Sequence, residues 1–109
     1  MTDENPMDTY TKFTRMTAVY PENQALEYLA LGLTSEAGEV AGKMKKWIRG
    51  DAGIDIRAAI LAELGDVLWY LTRLADELDS SLAAVMAENT EKLTQRKMNN
   101  TLRGDGDDR

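Results

Sequence analysis

The sequence predicts an all-α fold, an antiparallel helical bundle of four main helices ending in a short polar tail. Three observations carry this. Apolar residues recur at spacings of three and four along most of the chain. Capping residues, Pro and Gly fall where those patterns begin and end. No segment shows the two-residue alternation of a convincing strand. At 109 residues the chain is expected to be one domain, with a helical body over 1–98 and a tail over 99–109.

The first helix opens at Asn5-Pro6, an N-cap followed by Pro at the first helical position. Met7, Tyr10, Phe13, Met16 or Thr17, and Tyr20 follow on one face, and Pro21 interrupts the pattern. The second helix is long, roughly 22–49. Its stripe is Leu26, Leu29, Ala30, Leu33, Ala37, Val40, Met44, Trp47 and Ile48, and Gly50 is its expected stop. A short loop over 51–55 leads to Asp55, the cap of a third helix reaching about Leu78. That helix is striped by Ile60, Leu64, Val67, Leu68, Leu71, Leu74, Ala75 and Leu78. Asp79 or Ser80 caps a fourth helix to about Met98, whose apolar face is Leu82, Val85, Met86 and Leu93. Composition makes the Gly/Asp-rich remainder a flexible tail.

Composition narrows the chemistry. A net charge of −6 and a pI near 4.6 argue against binding a nucleic-acid polymer, which calls for a basic face. The polar, acidic N-terminus has no apolar signal region, and no run approaches the roughly 20 apolar residues of a membrane span. A cytoplasmic location is the expectation. With neither His nor Cys, the usual zinc sites and histidine acid–base catalysis are excluded. A general base must then be a carboxylate or, less favourably, a Lys or Tyr.

One pattern occurs twice. Glu36-Ala37-Gly38-Glu39-Val40 recurs as Glu63-Leu64-Gly65-Asp66-Val67. Each copy places two carboxylates three residues apart on a helix. At about 100° per residue, Glu36 and Glu63 sit at the edges of their stripes, with Glu39 and Asp66 about 60° further out on the same side. If the two helices pack side by side, four carboxylates converge. Such a cluster suits Mg²⁺, which takes oxygen ligands and usually keeps waters and substrate phosphates. A lone Glu-x-x-Glu is usually a solvated face; the repetition is what favours a site. Gly38 and Gly65 fall on the opposite flank, where a missing side chain would admit a close neighbour. Ferritin-like di-iron bundles also use helix carboxylates, but their Glu-x-x-His motif is absent.

Other residues lie near this face. Lys43 and Lys46 either pair with Glu39 or meet phosphate oxygens. Asn89, Lys92 and Arg96 run along the fourth helix, and Asn89 and Arg96 project from its apolar stripe. A buried Asn needs hydrogen bonds from another helix or from a ligand, and the two cations suit phosphates. Trp47 and Tyr70 are either packing aromatics or contacts to a nucleobase.

These residues resemble the MazG-like, all-α nucleoside triphosphate pyrophosphatases. The family signature is Glu-x-x-Glu, a spacer, then Glu-x-x-Asp. Here it reads Glu36-x-x-Glu39, 23 residues, then Glu63-x-x-Asp66. The stretch Leu33 to Val40, Lys43 and Lys46, the Asn89-x-x-Lys92-Leu93-x-x-Arg96 run and the terminal Gly104 to Arg109 look like compact bacterial and phage members. The resemblance implies hydrolysis of an NTP or dNTP between its α- and β-phosphates, giving (d)NMP and pyrophosphate, for nucleotide-pool sanitation or adjustment. It implies that Glu36, Glu39, Glu63 and Asp66 carry Mg²⁺, with Mn²⁺ able to substitute, and that Glu36 or Glu39 orients or deprotonates water. It implies that Asn89, Lys92 and Arg96 bind the substrate, and Lys43, Lys46 and Trp47 join them as substrate-binding candidates from their own reading above. It further implies a dimer or dimer of dimers, and a tail that folds over the nucleotide. The alternative is a non-catalytic helical module that binds nucleotides or proteins, which would need the apolar stripes but not four acids. A different diphosphate-bond hydrolase on the same scaffold is a third reading.

Overall fold

The computed structural model describes residues 4–51 and 53–107. The polar leader Met1-Thr2-Asp3, Ala52 of the loop and the terminal Asp108-Arg109 lie outside the described residues. Four α-helices follow one another: α1 (Pro6–Met16), α2 (Ala25–Arg49), α3 (Ile56–Glu77) and α4 (Leu82–Met98), with a short 3-10 turn at Glu22–Gln24 before α2. Among the described residues there is no strand.

The helix ends follow capping chemistry. Asn5 Oδ1 accepts from the Met7 N–H at 2.8 Å, and Asp55 accepts from Ala58 N–H at 3.1 Å. The cap of α4 is Ser81, which accepts from Ala84 N–H at 3.1 Å, rather than Asp79 or Ser80. Those two residues serve the end of α3 instead. Asp79 adopts φ 58°, and Ser80 N–H reaches back to Ala75 O at 2.9 Å. The same closure ends α2, where Gly50 at φ 82° lets Asp51 N–H reach Lys46 O at 3.1 Å. It also ends α4, where Asn100 at φ 58° lets Thr101 N–H reach Arg96 O at 2.7 Å. Tyr20, expected on the face of the first helix, falls beyond the end of α1 and lies in the crossover to the 3-10 turn.

The main packing is α2 against α3, the two helices that carry the repeated acidic motif. Helix α1 packs on α3. Helix α4 touches α1 and α3 and has no close approach to α2. Full burial of apolar residues is confined to Ala25, Leu29, Ala75 and Leu82 among the described residues, and others such as Leu33, Val67 and Leu71 are half-buried. Much of each predicted stripe therefore stays exposed in a single chain: Met44, Trp47 and Ile48 on α2, Leu64 and Leu68 on α3, Val85, Met86 and Leu93 on α4. The radius of gyration is 17.1 Å, against about 13 Å for a compact domain of this length.

The glycines of the repeated motif do not receive neighbours. A side chain at Gly38 or Gly65 would meet nothing within 4 Å. The close approach is made nearly two turns earlier on α2, at Gly32, where the Tyr70 ring fills the side-chain space.

Candidate active site

Because α2 and α3 pack together, the two copies of the motif face one another. Glu36 from α2 and Glu63 and Asp66 from α3 each offer a carboxylate oxygen, and these oxygens lie within 4.8 Å of one another. Glu36 and Glu63 are half-buried and Asp66 is exposed. Burial pushes the Glu36 carboxyl above its ordinary range, and the negative charges of Asp66, Glu63 and Glu39 push it further. One oxygen of Glu63 is buried without a hydrogen-bond partner. A buried, unpartnered carboxylate oxygen facing two more carboxylates is costly for the protein alone. A bound cation relieves both the desolvation and the mutual repulsion. An all-oxygen donor set of this kind fits a hard divalent ion.

Glu39, expected as a fourth member, is exposed and stands outside this group of three. Its charge still acts on Glu36.

A cavity of about 360 Å³ opens beside the carboxylates. Glu36 and Asp66 form one side, and Tyr20, Tyr28, Trp69 and Tyr70 supply the aromatic walls, with Thr17 and Val19 at the crossover. The Tyr20 and Tyr28 rings stack with centroids 5.7 Å apart and planes 24° apart. Trp69 meets Tyr70 edge-on at 5.0 Å. Burial raises the Tyr70 hydroxyl above its usual value, helped by the neighbouring Tyr28 and then by Glu36 and Asp66. Planar aromatic walls next to a carboxylate cluster can hold a planar heterocycle at one end of a ligand, with its phosphates towards the acids.

Of the aromatics singled out from sequence, Tyr70 lines this cavity and Trp47 does not. Trp47 is 52% exposed near the end of α2. Lys43 and Lys46 do not line the cavity either. Asn89 is exposed rather than set in a buried stripe, and shares a separate recess on α4 with Val85, Glu88 and Lys92. Arg96 is buried at 5% exposure, and its partners come from the tail. Its Nη2 donates to Asp107 O at 3.1 Å and to Asp107 Oδ1 at 3.3 Å, and Lys92 Nζ donates to the same Oδ1 at 3.3 Å. Since α4 has no close approach to α2, one chain does not bring this cationic run onto the α2 carboxylate.

Sequence reasoning missed Tyr20, Tyr28 and Trp69. Two of them carried a usable signal. Tyr28, Gly32 and Glu36 are spaced four apart on α2, and Trp69 and Tyr70 lie three and four residues after Asp66, so all share a face with a carboxylate. Tyr20 had no such signal, because it reaches the cavity from a non-helical crossover.

The chain is 39% identical over 112 residues to the Gene 37 protein of Mycobacterium phage L5, covering 94% of this chain and 98% of that one. No solved structure matches. The MazG nucleotide pyrophosphohydrolase domain matches residues 24–101, a span that runs from the start of α2 to the end of α4 and takes in all four motif acids and both aromatic helices. On that match the chain belongs to the MazG nucleotide pyrophosphohydrolase family.

Proposed function

We propose that this domain hydrolyses a nucleoside or deoxynucleoside triphosphate between its α- and β-phosphates, releasing pyrophosphate and the monophosphate, and so cleans or adjusts a nucleotide pool. The observation that carries this reading is the convergence of Glu36, Glu63 and Asp66, with an unpartnered buried oxygen, at the mouth of an aromatic cavity. Magnesium, or manganese in its place, supplies Lewis-acid polarisation of phosphate and activation of water. Glu36, Glu63 and Asp66 would hold it, with Glu39 joining from the adjacent turn. Glu36 or Glu39 orients the attacking water and accepts its proton. The nucleoside occupies the cavity between the aromatic walls.

Lys43, Lys46, Asn89, Lys92 and Arg96 serve the phosphates in this reading. Since α4 stands away from α2 within one chain, its cations reach a carboxylate site in a second copy. The exposed apolar faces of α3 and α4 support a homodimer or dimer of dimers. Asp107 holds Lys92 and Arg96 through a side chain that is 83% exposed, so water screens both pairs from the Asp107 side. The triphosphate displaces it, and the tail over 99–109 closes on the nucleotide. No described helix is long and apolar enough to cross a membrane; a cytoplasmic location is part of the proposal.

The test is product analysis over a panel of NTPs and dNTPs with Mg²⁺. The expected product pair is pyrophosphate and monophosphate. Orthophosphate as the first product, or no turnover of any common or modified nucleotide, refutes the reading. Binding of Mg²⁺ and nucleotide without turnover would select the non-catalytic module instead.

A further inference from the structure

The crossover between α1 and the 3-10 turn, residues 17–21, is fastened to α3 at two points by polar side chains. At one end Trp69 Nε1 donates to Thr17 Oγ1 at 2.8 Å. At the other, Arg73 donates through Nε and Nη2 to Tyr20 Oη at 3.2 and 3.1 Å, and Tyr20 Oη donates to Glu77 Oε1 at 2.5 Å. Arg73 is only 4% exposed and is itself fixed by Asp76 at 2.6 Å and Glu77 at 3.1 Å. Asp76 is gripped in turn by Arg15 of α1 at 2.7 Å.

Val19, between the two fastenings, is 94% exposed and contributes no packing. The crossover is held by the polar pins together with the stacking of the Tyr20 ring on Tyr28. A buried guanidinium with two carboxylates is a poor way to gain stability compared with apolar residues of similar volume. It is, however, a stiff and directional way to place a hydroxyl. The ring attached to that hydroxyl stacks on Tyr28 and forms a wall of the cavity beside Glu36 and Asp66. Asp66, Tyr70, Arg73 and Glu77 follow one another at spacings of four, three and four, so one face of α3 carries a carboxylate, a cavity wall and the clamp in sequence.

We propose that Arg73 is a positioning residue for nucleotide recognition: with Glu77 it sets the Tyr20 ring, carried on the pinned crossover, as the wall against which the nucleobase stacks. This rests on the nucleotide reading above. The clamp fixes the compartment's width before the ligand arrives, so that stacking does not also have to order the crossover. Base–aromatic stacking contributes on the order of 1–3 kcal/mol per base, and its benefit depends on the wall being held in place.

The test compares two probes on the full chain with Mg²⁺: α,β-imido analogues of the four dNTPs, and inorganic tripolyphosphate, which has no base. Affinities are measured by calorimetry. Tyr20→Phe keeps the ring and removes the hydroxyl that Arg73 and Glu77 hold. The ratio of analogue to tripolyphosphate affinity is expected to fall about fivefold, the effect of losing one such hydrogen-bonded tether. Arg73→Met should lower the ratio further, and Arg73→Lys should restore part of it. A ratio in Tyr20→Phe equal to that of wild type overturns the proposal, and this variant decides alone if Arg73→Met does not fold. Equal weakening of both probes also overturns it, since that marks a general structural role. Pyrophosphate release by the wild type is scored separately. Analogue binding without release refutes the catalytic reading and leaves the clamp test intact, whereas a wild type that binds neither probe overturns both.

Discussion

The Tyr70 ring occupies the space that a side chain at Gly32 would need: an ideal Cβ on residue 32 would stand 2.6 Å from Tyr70 Cζ. Helix α2 thus admits an aromatic wall from α3 through the absence of one methyl group. Gly32→Ala should push Tyr70 out of place, with an overpacking cost of about 1–3 kcal/mol. For a domain of this size each kcal/mol lowers the melting temperature by about 4–8 °C. Thermal unfolding checks the cost, and calorimetry with a dNTP analogue checks the accompanying loss of affinity. An unchanged melting temperature and affinity would mean that Tyr70 moves aside freely.

Glu63 gives a prediction whose sign depends on the metal. Its buried oxygen has no partner, and it faces Glu36 and Asp66. Without divalent ions, Glu63→Gln should raise the melting temperature, because a like charge leaves the cluster. With Mg²⁺ present, the order should reverse. The wild type gains RT ln(1 + [L]/Kd), about 2.7 kcal/mol at a hundredfold excess over Kd, and the variant gains little. Glu39→Ala should lose less of this metal-dependent gain, since Glu39 stands outside the group of three. Melting curves in EDTA and in MgCl₂ decide both points. A wild type unmoved by Mg²⁺ would remove the cluster from metal binding.

The helices were legible in the sequence because their signals are local: caps at Asn5 and Asp55, a stop at Gly50, and stripes at 3.6-residue spacing. The carboxylate site was legible because repetition placed Glu36 and Glu63 at matching stripe edges, and α2 against α3 is the simplest packing of two adjacent long helices. What was not legible is non-local. Tyr20 reaches the cavity through Arg73 and Glu77, more than 50 residues away in the chain. Asn89 fell in an apolar stripe that a single chain leaves uncovered, so the pattern alone overstated its burial. The motif glycines suggested a close approach that the fold makes at Gly32, where only the partner ring on α3 reveals it.

Asp76 predicts the acid side of the stability profile. Its hydrogen bond from Arg15, with help from Arg73, outweighs burial and holds its carboxyl at about 2. The folded-state value lies below the ordinary 3.8, so the contribution is full above about pH 4 and is lost as the pH falls from there towards 2. With allowance for screening at its exposed edge, the loss is on the order of 1–2 kcal/mol. Urea midpoints of wild type and Asp76→Asn should differ most near neutrality, draw together below about pH 4 and converge only towards pH 2. A constant gap across that window would show that Asp76 acts through packing rather than charge.

The apolar surface of α1, α3 and α4 predicts the state of assembly. Pro6, Met7, Tyr10, Leu68, Leu71, Leu82, Val85 and Met86 line a nearly all-apolar groove of about 360 Å³. Met86 is 56% exposed within one chain. Contiguous apolar surface of this kind marks an interface, and a single chain with four buried apolar side chains among its described residues has little core of its own. If a second copy covers the groove, Met86→Glu places a charge in a desolvated contact, which costs several kcal/mol unless it is paired. The variant should sediment as a monomer, or as a smaller oligomer than wild type, at micromolar concentration. Its pyrophosphate release should fall with assembly if α4 of one copy serves the carboxylates of another. A variant that sediments as a monomer and retains full turnover would show that each chain carries a complete site, and that Lys92 and Arg96 act elsewhere.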